Sequence, residues 1–149
     1  MRVLHADVDN VYVSEGRLVI QVRRGTMTHT TLDAVERHIT GPHAREIGAY
    51  LVVIEDSASV PDADVRKRQQ VTVRRTLIDG GVYVAVVMLA TGVRASILRA
   101  ISRTMAIGFS RTATFSDIET AARWLAPHAG VSTQSVVELV AQARATHPK

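Results

Sequence analysis

Two runs of apolar, largely β-branched residues, Tyr50-Leu51-Val52-Val53-Ile54 and Val82-Tyr83-Val84-Ala85-Val86-Val87-Met88-Leu89, constrain the fold of this chain more than anything else in it. Neither alternates polar with apolar, so each predicts a strand buried on both faces, the mark of a parallel sheet covered by helices on its two sides. The stretch between them reads as a helix. Pro61-Asp62 opens it, Val65, Thr72, Val73, Thr76 and Leu77 fall on one side, Lys67, Arg68, Arg74 and Arg75 fall on another, and Gly80-Gly81 closes it.

The rest of the chain extends this unit in both directions. Val3 to Val8 alternates only weakly. Val11-Tyr12-Val13 and Leu18-Val19-Ile20-Gln21-Val22 flank Ser14-Glu15-Gly16-Arg17 and predict a hairpin. Leu32, Val35 and Ile39 recur at helical spacing over roughly positions 30 to 40, before Gly41-Pro42 interrupts. Thr91-Gly92 passes the second buried strand into a helix from Val93 to about Ala106, and Thr112 to Phe115 reads as a short last strand. Ser116-Asp117-Ile118-Glu119 has the form of a capping box, with Ser116 as the cap, opening a helix to Pro127; beyond Gly130, Val136, Val137, Val140 and Ala143 predict one more amphipathic helix. The expectation is an α/β fold with a mixed sheet of four to five strands, parallel in its centre, and an appended C-terminal helix. The core domain covers positions 1–128 and the helical extension positions 129–149.

At 149 residues such a domain buries roughly two-thirds of the surface of its unfolded chain, so folding requires no metal or crosslink. The absence of cysteine excludes disulfides, thiolate nucleophiles and thiolate metal ligation. The start of the chain lacks the apolar core of a secretory signal, and no run approaches the ~18 apolar residues of a spanning helix, which predicts a cytoplasmic protein. The net charge of +4 comes from arginine, since lysine occurs only at Lys67 and Lys149. Arginine suits anionic partners, but few aromatic residues are available to stack bases, and no nucleic-acid motif is present.

The strand Leu51-Val52-Val53-Ile54-Glu55-Asp56 running into a polar loop, the helix opening Thr91-Gly92-Val93-Arg94, and the closing phrase Thr114-Phe115-Ser116-Asp117-Ile118-Glu119-Thr120-Ala121-Ala122-Arg123-Trp124-Leu125 resemble the STAS superfamily, in particular its SpoIIAA-like branch, grouped in name with lipid-binding domains of the Sec14 type. The resemblance covers roughly positions 3 to 126. It implies a SpoIIAA-like fold and a regulatory, protein-binding role like that of anti-sigma-factor antagonists. In signalling members the loop carries Asp-Ser-Ser-Gly, whose serine is phosphorylated. Here Asp56-Ser57-Ala58-Ser59 lacks the glycine and runs into Val60-Pro61, so the intact phosphoserine motif is missing.

Two groups of residues are the candidate sites. Asp56, Ser57 and Ser59 follow a central strand, where α/β proteins meet ligands and modifying enzymes; capping of the next helix by Ser59 or Asp62 is the competing role. Thr91 and Arg94 bring backbone N–H groups and a guanidinium to a helix start, an anion-site outline. The second group, Ile97, Leu98, Ile101 and Met105, supplies more apolar surface than small strands cover, and suits a lipid tail, a membrane surface or a second subunit in a homodimer. The six histidines show no metal-ligand spacing, and neither a nucleophile elbow nor a phosphate loop is found. The expectation is a protein that acts by binding and not by catalysis, with no cofactor and no metal: a protein partner first, a lipid or small apolar ligand as the alternative.

Overall fold

The computed structural model describes residues 1–106 and 110–149, and the side chains of all of these except 41, 43, 44, 76–80 and 104–106. Among these residues six strands form one sheet in sequential order: β1 (Arg2–Ala6), β2 (Asn10–Glu15), β3 (Leu18–Arg23), β4 (Ala49–Ile54), β5 (Tyr83–Met88) and β6 (Thr112–Phe115). Strands β1, β2 and β3 run antiparallel to one another, and β3 to β6 are parallel. The class is α/β with a mixed sheet, but the strand count exceeds the four to five expected. The additional strand is β1, an edge strand whose Arg2, Val3 and Ala6 are exposed, so no buried alternation announces it. Its extended form comes from pairing with β2 across an irregularity between Val3 and His5.

Among the described residues five helices complete the fold: α1 (His29–Ile39), α2 (Ala63–Gly80), α3 (Gly92–Ala106), α4 (Ile118–Ala129) and α5 (Thr133–Ala145), with a 3-10 turn at Gly41–Glu46. From β3 to β6 each new strand is added on the same side of the last, and parallel crossovers are right-handed, so α1, α2 and α3 must share one face of the sheet. Helices α4 and α5 cover the other.

Strand alternation divides the residues between these faces. Leu18, Ile20 and Val22 of β3, Leu51 and Val53 of β4, and Ala85 and Val87 of β5 meet Leu125 of α4 and Val136, Leu139 and Val140 of α5 in one continuous core. Helix α5 is therefore part of the main core, packed on β2 and β3. The opposite face breaks into three smaller clusters, built around Val19 and Val84, around Ile54 and Leu98, and around Tyr12 and Leu32. Helix α2 packs against α1 and the 3-10 turn more than against the sheet.

Local signals explain most boundaries. Gly16, at φ +56°, makes the tight turn between the paired Glu15 and Leu18. Thr28 caps α1 by accepting from the Thr31 N–H. The cap of α4 is Asp117 and not Ser116: its carboxylate accepts from the Thr120 N–H at 2.7 Å and hydroxyl at 2.9 Å, while Glu119 pairs with Arg123. A carboxylate one residue later thus displaces the expected capping box. Pro127 is accommodated inside α4, which ends at Gly130 in the left-handed conformation.

Candidate functional site

The strand-end loop after β4 is interlocked and not open. Asp56 Oδ1 accepts from the backbone N–H of Thr91 at 3.0 Å and from its hydroxyl at 3.3 Å, which brings these two of the first group of candidate residues together across the ends of two adjacent parallel strands. The Ser59 hydroxyl bonds Thr26 at 2.6 Å, its N–H donates to the Gly25 carbonyl, and its own carbonyl accepts from Arg23; it does not cap α2. Ser57 is exposed, as are Thr91 and Arg94. Glu55 sits between Arg144 Nε at 2.7 Å and Arg24 Nε at 2.9 Å, joining the end of β4 to α5. Burial alone would raise its pKa, but hydrogen bonds from Arg24 and Arg144 outweigh this and hold it below the usual carboxylate value. Because the strand order never reverses among β3 to β6, the sheet has no switch-point crevice of the kind that gives strand-end loops their ligands.

The open space lies on the face under α1, α2 and α3. A cavity of about 110 Å3 is bounded by Tyr50, Val52 and Ile54 of β4, Val84 and Val86 of β5, Leu32 and Val35 of α1, Thr72 and Val73 of α2, and Leu98 and Ile101 of α3. Val52 and Val86, opposite one another at the centre of the sheet, keep partial exposure, whereas Leu51 and Val53 have none. Incomplete cover by α2 and α3 therefore leaves the middle of two central strands accessible. Of the second candidate group, Leu98 is buried and Ile101 half-buried, and both line the cavity; Ile97, at 46 % exposure, points away from it. The Met105 side chain, like those of Thr76 and Leu77, lies outside the described residues.

The cavity is apolar along its length, with a polar floor on β3. Gln21 and Arg23 alternate onto this face and are only 2 % and 4 % exposed. Gln21 Oε1 accepts from the Tyr50 hydroxyl at 3.1 Å, and its Nε2 is buried without a partner among the described residues. A buried donor left unmatched costs about 1–3 kcal/mol, and an apolar side chain of similar size would avoid that. Arg23 donates from Nε to the Gly25 carbonyl at 3.2 Å and from Nη2 to the Ser59 carbonyl. No carboxylate among the described residues lies within ion-pair distance of it. Burial lowers its pKa, Tyr12 and then Asp9 oppose that through space, and arginine's very high starting value keeps it a cation. Burial likewise raises both the Tyr12 and Tyr50 phenols, which stay protonated as donors. At the far side, Thr112 Oγ1 on β6 is a second buried polar atom without a partner among the described residues.

Sequence reasoning missed Gln21, Arg23 and Tyr12 as site residues. The signal was present in Val19-Ile20-Gln21-Val22-Arg23, where polar residues recur with period two in a strand that is otherwise apolar. Among the described residues no cluster of three potential metal ligands occurs, and no helix is long and apolar enough to cross a membrane. No family model, curated protein or solved structure matches this chain.

Proposed function

We propose that this protein acts by binding and not by catalysis, and that it takes up a small, largely apolar molecule between its sheet and helices α1 to α3. The observation that carries this reading is the cavity over Val52 and Val86, where α1, α2 and α3 cover the centre of the sheet incompletely while the opposite face carries one continuous core. Apolar pockets with a few convergent polar groups are the usual form of small-molecule sites. The volume of about 110 Å3 is close to that of an engineered ~150 Å3 protein cavity that binds benzene, which sets the scale of the buried part of the ligand. The succession from the hairpin through β3–α1–β4–α2–β5–α3–β6 supports a SpoIIAA-like classification, and the Sec14-type grouping of that branch agrees with a ligand-carrying role. The test is an NMR titration of the labelled protein with benzamide. Shifts should concentrate at Tyr50, Val52, Val86 and Leu98 and vanish in the folded, cavity-filling variant Val86→Phe; shifts absent or scattered over the surface count against the reading.

A second reading, regulation through a protein partner, is favoured by Ser57, which is exposed beside the anchored Asp56. A phosphate there would add roughly −2 charge to a surface loop and alter partner affinity. Phosphosite mapping, together with equal partner capture by wild type and Ser57→Asp, would exclude it.

A further inference from the structure

We propose that the ligand of this cavity is a small aromatic or short branched-chain carboxylic acid, its carboxylate set against Gln21 and Arg23 and its apolar part over Val52, Val86 and Leu98. The inference rests on the reading of the cavity as a binding site and deepens it by naming the ligand's head group.

Three features of the floor select that chemistry. The first is polarity of direction. Gln21 Oε1 already accepts from the Tyr50 hydroxyl, so the amide's unmatched group among the described residues is the Nε2 donor; the guanidinium of Arg23 has only donors to offer, and among the described residues two of its five N–H groups are matched. A head group facing this floor must accept hydrogen bonds. Amines and ammonium groups would meet donors and a positive charge.

The second feature is charge. Both acceptors of Arg23 are backbone carbonyls, from Gly25 and Ser59, which satisfy hydrogen bonds without neutralising the cation. A guanidinium enclosed at 4 % exposure with no carboxylate partner among the described residues is a natural counterion for an anion brought in from solution. Gln21 and Arg23 are two residues apart on one face of β3, with Cα atoms roughly 7 Å from each other, so both side chains project to the same side of the sheet.

The third feature is size. The apolar space continues from Gln21 to its register neighbour Val52 and on to Val86, and closes under Leu98 and Ile101. A volume of about 110 Å3 accommodates a group on the scale of one ring or a branched chain of about five carbons, and not a long acyl chain.

The experiment compares isosteric acid and amide probes, benzoate and benzamide, with isovalerate as the aliphatic acid, by calorimetry and NMR titration on the full chain. Benzoate should bind at least tenfold more tightly than benzamide. Arg23→Gln should remove that preference while leaving benzamide affinity within about threefold. Since Arg23 also holds two loops, Gln21→Met provides a second variant; it should weaken benzoate several-fold more than benzamide. If benzamide binds in the cavity as well as or better than benzoate, the carboxylate assignment fails and the cavity reading stands. If none of the three probes perturbs the cavity residues at millimolar concentration, both fail.

Discussion

The Tyr50 hydroxyl donates to Gln21 Oε1 at 3.1 Å, while the other end of the amide, Nε2, is buried and unmatched among the described residues. The pair occupies the neighbouring strands β3 and β4 on the face beneath α1. Gln21→Leu alone strands the Tyr50 hydroxyl, although it also removes the unmatched Nε2, so it should be less stable by about 1–3 kcal/mol than Gln21→Leu combined with Tyr50→Phe, in which both polar partners are gone. Urea unfolding of the two variants measures this; equal losses in both would show that the bond carries no weight.

The contrast between the two sheet faces predicts unequal responses at adjacent residues. Leu51 is fully buried in the continuous core under α4 and α5, and Leu51→Ala should cost about 2–5 kcal/mol. Val52 faces the cavity and is partly exposed, so Val52→Ala should cost about 1 kcal/mol or less, because groups worth about 0.8 kcal/mol each are only partly withdrawn from water. Comparable losses on chemical denaturation would mean that the cavity face is as tightly packed as the other.

Gly48 is a point of close approach. A Cβ there would stand 2.6 Å from the backbone carbonyl oxygen of His128, near the end of α4, whose ring stacks on Tyr83 at 3.5 Å. Backbone cannot retreat as a side-chain tip can, so Gly48→Ala should lower stability by about 1–3 kcal/mol through displacement of α4. A thermal midpoint unchanged from wild type would contradict this.

Two groups that anchor the C-terminal segment give stability the same pH sign. His147 is 7 % exposed, and burial, followed by nearby Arg24, lowers its pKa from about 6.5. Near that value the unfolded chain takes up a proton that the folded one resists, so the stabilisation is complete above about pH 6.5 and declines as the pH falls below it. Glu55, also held below its ordinary value of 4.5, retains its contribution above that pH and loses it as the pH falls through its lower folded value. Thermal midpoints should therefore begin to drop as the pH falls below about 6.5 and drop further below about 4.5, and His147→Leu should flatten the first drop alone. A first drop that persists in His147→Leu would assign it to another group.

The central strands could be read directly because burial on both faces leaves a compositional mark: β4 and β5 are apolar at nearly every position, and no partner need be known to see it. Helix α1 was equally legible, since Leu32, Val35 and Ile39 repeat with its period. Strand β1 carried no such mark because an exposed edge strand owes its form to the neighbour that pairs with it. For the same reason nothing in the sequence marks Gln21 and Arg23 as buried; only the positions of α1 and of the Gly25 and Ser59 carbonyls make those residues interior.

What the sequence by itself determined is the succession of strands and helices and the parallel centre of the sheet, because local periodicity, turn residues and continuous apolar runs encode them within a few residues. What only the tertiary structure decided is where cover fails. Asp56 became an anchor for Thr91 when β4 and β5 paired, and the gap over Val52 and Val86 arose from how α2 and α3 sit on the sheet. A cavity is the space that separate segments leave between them, and no segment records it alone.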